Sequence, residues 1–203
     1  AAHLVGIIHR DLKPSNILVD GEGEPRLLDF GLARLPEAPS ATLVTLTGQF
    51  LGSPAWASPE QVEGHPERID LRSDVYSLGI VLYQVLTGMF PYDVDGPLAR
   101  TFDEILHADP VPPRNHARFI TPDLQAVMLK AITKQRERRY QSVAEFRADI
   151  ERFLRDEAVL AKADSFAYVA WKLVRRHRAV AVAAALVVLL TAVYATTMTL
   201  AYQ

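Results

Sequence analysis

Short apolar stretches separated by polar turns mark the first thirty residues, and helical spacing takes over after residue 70. The first apolar run ends at Ile8, and the polar stretch His9 to Asn16 follows it. Ile17-Leu18-Val19 and Arg26-Leu27-Leu28 flank Asp20-Gly21-Glu22-Gly23-Glu24-Pro25. Two short apolar runs around a Gly-rich turn predict a small β-hairpin. From Asp29 to Pro59 no period is sustained, and Thr42, Thr45, Thr47 and Ser53 sit among Gly and Pro. That predicts a long loop, and loops of such length are mostly functional or disordered.

Helices are predicted from there on. Ser73 to Thr87 is apolar on nearly all sides, through Val75, Leu78, Ile80, Val81, Leu82, Val85 and Leu86, which predicts a helix in the middle of a domain. Gly88 ends it. Leu98 to His107 forms a second pattern. Thr121 as N-cap and Pro122 at the first helical position open a third, with Leu124, Val127, Met128, Ala131 and Ile132 as its stripe. Ser142-Val143-Ala144-Glu145 reads as a capping box leading into Phe146, Ile150, Phe153 and Leu154 on one face. The globular part is therefore expected to be mainly α with one hairpin, an α+β unit without internal repeats.

Charge divides the chain. Up to Asp164 there are 18 basic and 24 acidic residues, a net of −6. From Ser165 onward there are only Lys172, Arg175, Arg176 and Arg178, and no acid. The last 25 residues carry no charge, and 20 of them are apolar. Such a distribution excludes a disordered chain and a basic nucleic-acid binder. The 23 residues from Ala179 to Ala201 span about 34 Å at helical rise, enough to cross a bilayer core. The preceding cations fit the positive-inside rule, so the expectation is a single-pass membrane protein with its lobe in the cytoplasm. Trp171 and Phe166 would rest at the interface, with Ser165 to Arg178 along anionic headgroups. The absence of Cys excludes disulfides, Cys zinc sites and Cys nucleophiles.

The candidate chemistry sits around the hairpin. His9-Arg10-Asp11-Leu12-Lys13-Pro14-Ser15-Asn16 precedes it, and Asp29-Phe30-Gly31 follows it. The hairpin should bring Asp11 and Asn16 near Asp29, with Lys13 beside them. Hard Mg²⁺ takes oxygen ligands, here Asn16 and Asp29. Asp11 can accept the proton of an attacking hydroxyl, and Lys13 can offset charge on a moving phosphoryl group.

These motifs, in this order, resemble the eukaryotic-like Ser/Thr protein kinases, most closely the membrane-anchored bacterial members. The resemblance covers residues 1–155 and implies a kinase C-terminal lobe, with 156–178 as a basic juxtamembrane segment and 179–201 as the transmembrane helix. It implies ATP and Mg²⁺ as cofactors, with Lys13, Asn16 and Asp29 contacting them, and Ser- or Thr-bearing proteins as substrates. His9 and Phe30 would join the hydrophobic spine, with Gly31 completing the Asp-Phe-Gly motif. Arg10 would pair with a phosphorylated activation segment, where Thr45 and Thr47 are the favoured sites. The Ser53 hydroxyl would bond both Asp11 and Lys13. Glu60 would pair with buried Arg139, and Asp74 would hold the catalytic-loop backbone.

Trp56 stands where Tyr is usual, Ser53 where Thr is usual, and Gln135-Arg136 where Asp-Pro is common. The chain opens without Met and closes two residues after its apolar run, so both ends are expected to be cut. The family's glycine-rich loop, strand Lys and helix Glu would precede Ala1, so the 203 residues alone are expected to be inactive. The rival expectation is a pseudokinase or membrane-tethered signalling scaffold. A homodimer is compatible with the chain but no motif carries it.

Overall fold

A computed structural model describes residues 7–29 and 53–162, together with the single positions Tyr168, Lys172, Thr191, Met198 and Leu200. Phe30, Gly31, Thr45 and Thr47 lie outside the described residues. So does the expected membrane span, apart from those last three positions. Among the described residues no helix is long and apolar enough to cross a membrane.

The described part is mainly helical with one two-stranded sheet. Strands β1 (Ile17–Val19) and β2 (Pro25–Leu27) are antiparallel, with Ile17 opposite Leu27 and Val19 opposite Pro25. Asp20 organises the turn between them. Its Oδ1 accepts the amide protons of Glu22 and Glu24, and its Oδ2 lies 3.0 Å from Arg26 Nε. Gly23 there has φ +86°, a conformation that favours glycine.

Five helices follow: α1 (Pro59–Val62), α2 (Leu71–Thr87), α3 (Leu98–His107), α4 (Pro122–Ala131) and α5 (Val143–Leu154). Helix α2 starts two residues before the predicted Ser73, because Asp70 caps it by accepting from Arg72 N. Gly88 ends it in the left-handed conformation, φ +71°. Thr121 caps α4 through Leu124 N. At α5 the expected capping box forms only in part. Ser142 Oγ accepts from Glu145 N, but Glu145 Oε2 reaches Gln141 N, one residue ahead of the cap.

Helix α2 is central because apolar clusters form on two of its sides. Tyr76, Ile80 and Tyr83 pack with Ile105, Ile120, Met128 and Ile132, while Val75 joins Val127, Ala131, Tyr140, Phe146 and Val159. At Gly79 it meets α4 so closely that an added Cβ would lie 2.7 Å from Ile132 Cγ2 and 2.9 Å from Ala131 Cβ. Two expected core residues point outward: Val85 is 69% exposed and Leu154 73%. Both lie in the last turn of their helices.

Packing continues past residue 155. Asp149, fully buried on α5, accepts from Tyr140 Oη at 2.7 Å, Leu160 N at 2.6 Å and Ala161 N at 3.0 Å. Burial and this hydrogen bond to the carboxylate push the Tyr140 phenol well up. Lys172, expected to face headgroups, is instead almost fully buried, 2.6 Å from Asp156 Oδ1 and 2.9 Å from Asp123 Oδ2. Composition assigned it to a collar without acid, but the partners come from α4 and the end of α5. Lys162 also pairs with Asp123, at 3.2 Å.

Candidate active site

The polar stretch before β1 turns back on itself through a 3₁₀ turn at Pro14–Asn16. That brings three of the predicted residues into direct contact. Lys13 Nζ lies 2.9 Å from Asp11 Oδ2, and Asn16 Nδ2 donates to Asp11 O at 2.8 Å and to Oδ2 at 3.1 Å. Lys13 also donates to Ser53 Oγ at 2.8 Å, tying the loop to the chain that leads into α1. Ser53 bonds Lys13 but not Asp11, contrary to the expectation for this hydroxyl. Oδ2 of Asp11 already receives Lys13 and Asn16.

Asp29 is brought close by the hairpin rather than by a side-chain bond. Leu28 N donates to Asn16 O at 2.8 Å, so Asp29 emerges directly beside Asn16. Asn16 spends its amide protons on Asp11, and its Oδ1 accepts no hydrogen bond from the described residues. The Asp29 carboxylate is exposed. An amide oxygen and a carboxylate are hard donors, and Mg²⁺ takes such ligands in ones and twos while keeping waters and phosphate oxygens. The donor set therefore fits that ion.

Backbone strain gathers here. Arg10 has φ +68° and Asp29 φ +54°, two of the three described non-glycine residues with positive φ. Such conformations persist only where surrounding contacts over-determine them. At Arg10 those contacts are visible. Asp74, in the first turn of α2, accepts from His9 N at 2.8 Å and from Arg10 N at 2.9 Å. His9 is buried, donates through Nε2 to Leu28 O at 3.0 Å, and accepts at Nδ1 from Asp11 N. A single carboxylate on the central helix thus holds the loop, and the loop's imidazole holds the base of the hairpin.

Glu60, in the first turn of α1, and Arg139 form a buried pair. All five N–H groups of the guanidinium are used. Nη1 and Nη2 each reach one Glu60 oxygen at 2.7 Å, and the remaining three protons go to the carbonyls of Thr133, Arg72 and Lys134. Ser73 Oγ also donates to Glu60 Oε1 at 2.7 Å. Burial pushes the Glu60 carboxyl up, but the Arg139 guanidinium outweighs it and holds the group below the usual carboxylate range. The Arg139 guanidinium lies 4.9 Å from the centre of the Tyr76 ring.

Two structural anchors escaped the sequence reading. Gln61 accepts from Ser58 N and donates to Arg10 O at 2.7 Å, so it links α1 to the His9–Asn16 loop. The signal was present in Ser58-Pro59-Glu60-Gln61, which has capping-box spacing. Asp149 is the other. Its place among Phe146, Ile150 and Phe153 put a carboxylate on an apolar helix face, which requires buried partners.

The arrangement has a clear family context. The protein kinase domain family matches residues 1–148. The serine/threonine-protein kinase PknB of Mycolicibacterium smegmatis is 46% identical over 151 residues, covering 74% of this chain and 24% of that protein. PknB of Mycobacterium tuberculosis is 45% identical over the same length. A probable serine/threonine-protein kinase of Streptomyces coelicolor is 39% identical over 162 residues, or 80% of this chain. The chain spans about a quarter of the length of these relatives (24% in each). The catalytic-loop contacts, the hairpin and the matched residues lead to one assignment: the chain belongs to the protein kinase domain family.

Proposed function

We propose that the protein containing this chain transfers the γ-phosphoryl group of Mg·ATP to Ser or Thr hydroxyls of protein substrates. The observation that carries this reading is the contact among Asp11, Lys13 and Asn16 beside Asp29. Asp11 accepts the proton of the attacking hydroxyl at its carboxylate. Lys13, held by Asp11 and Ser53, offsets negative charge on the transferred group. Asn16 Oδ1 and the Asp29 carboxylate would hold Mg²⁺, which when bound neutralises and orients phosphate oxygens. Arg10, at the end of a strained loop, is the residue that would read phosphate on Thr45 or Thr47.

The 203 residues contain no glycine-rich phosphate loop, so nucleotide binding draws on sequence outside them, and alone they are expected to be inactive. The same reading anchors the lobe on the cytoplasmic side through residues 179–201, oriented by Arg175, Arg176 and Arg178. In the full-length protein, Asp11→Asn should lower phosphate transfer to a protein substrate by at least about a hundredfold. The urea unfolding midpoint should stay the same. Transfer close to the parent rate would remove Asp11 from its role. No transfer by the parent protein would favour the signalling scaffold instead.

A further inference from the structure

The segment Val111 to Ile120, between α3 and α4, differs from the rest of the lobe in charge. It contains Arg114, His116 and Arg118 and no acidic residue. Every other described arginine outside the catalytic loop, except Arg138, lies within ion-pairing distance of a carboxylate. Arg114 and Arg118 are exposed, have no such partner among the described residues, and line one open concavity of about 540 Å³ with Pro112, Asn115 and Gln125. Phe119, directly after Arg118, is 68% exposed.

This surface is held in shape from beneath. Val111 N donates to Pro91 O at 2.9 Å, and Val111 O accepts from Tyr83 Oη at 2.8 Å. Pro112 and Pro113 restrict the backbone that carries the arginines. The two cations and the phenyl ring are therefore presented on a preformed frame.

Asp123, two residues before Gln125 on α4, pairs with Lys172 at 2.9 Å, and Lys172 also pairs with Asp156 at 2.6 Å. The chain is thus pinned at the same end of α4, seven residues before the span proposed at 179–201. Seven residues reach at most about 25 Å. A bilayer entered at residue 179 is therefore within about 25 Å of Lys172, which is pinned at the end of α4 that borders the concavity.

We propose that the Arg114, Arg118 and Phe119 surface docks the lobe on anionic phospholipid headgroups. Guanidinium forks match phosphate oxygens, and an exposed aromatic ring suits the headgroup boundary. An acidic protein segment would satisfy the arginines alone, whereas Phe119 and the tether at Lys172 favour the bilayer. Each arginine near an anionic surface strengthens association by roughly fivefold. The docking rests on the membrane-span reading, so the two need separate tests.

The full-length protein is reconstituted in nanodiscs of phosphatidylcholine alone, or with about 30% phosphatidylserine to supply surface charge. Amide hydrogen exchange of residues 113–120 should slow by at least about fivefold in the anionic discs. The double variant Arg114→Glu/Arg118→Glu should lose that difference. Arg138→Glu, at an unpaired arginine elsewhere, should keep it. Equal exchange in both discs, or equal loss in Arg138→Glu, overturns the docking. Protection by an added polyglutamate peptide, with none from phosphatidylserine, also overturns it in favour of an acidic protein partner. Carbonate extraction reads the span separately: release from membranes refutes the span, while retention without lipid-dependent protection refutes the docking alone.

Discussion

Replacing Arg139 by Lys keeps the positive charge and removes the planar fork, so it tests what the buried pair contributes. The guanidinium meets five acceptors: both Glu60 oxygens and the carbonyls of Thr133, Arg72 and Lys134. A Lys ammonium has three protons, so at least two buried acceptors lose their donor. Each unmet acceptor costs about 1–3 kcal/mol, which puts Arg139→Lys at about 2–6 kcal/mol of destabilisation. For a unit of this size that is a fall of about 4–24 °C in melting temperature. Glu60→Gln should cost about 3–5 kcal/mol, since the guanidinium then lies buried without a counter-charge. Replacing both by apolar residues should cost less than the sum of the two single changes. Urea unfolding of the full-length protein measures all of these. The pair also sets an acid limit. Glu60 titrates below its ordinary 4.5 in the fold, so its contribution is complete above that pH and is lost as pH falls through the lowered folded value. Glu60→Gln should flatten this acid limb. An Arg139→Lys protein within about 1 kcal/mol of the parent, with no coupling in the cycle, would refute the five-acceptor reasoning.

Other expectations follow from single contacts. Asp74→Ala frees the buried amides of His9 and Arg10, which hold the strained turn, and should cut phosphate transfer by more than about tenfold while shifting stability by about 2–4 kcal/mol. A steady-state transfer assay beside a urea curve separates the two effects. Gly79→Ala gains about 1 kcal/mol of helix propensity but drives a methyl against Ile132 and Ala131, and should be net destabilising by up to about 2 kcal/mol in thermal melts. Asp149→Ala strands the Tyr140 hydroxyl and the amides of Leu160 and Ala161, and should speed hydrogen exchange at residues 160–161 far more than in α2.

Some of this protein was legible because its information is local. The hairpin between Ile17 and Leu27, the caps at Thr121 and Ser142 and the stop at Gly88 each depend on residues within a few positions of one another. The contacts of Asp11 with Lys13 and Asn16 belong to the same class, since a 3₁₀ turn closes them within five residues. The Ser53 bond departed from expectation because it joins positions 40 residues apart, and no local rule states which partner the hydroxyl meets.

The sequence by itself determined the local contacts of the His9–Asn16 loop, the order of the elements and the apolar faces that drive them together. Tertiary structure decided which groups meet. Glu60 and Arg139 are 79 residues apart, and Asp74 reaches back 65 residues to His9. Tertiary packing also turned Val85 and Leu154 outward and placed Lys172 between two carboxylates. The physical reason is the range of the forces involved. Propensity and capping act over a turn or two and are written in adjacent residues. A buried charge takes its partner from whatever the packed helices bring within about 3 Å, and that depends on the whole core.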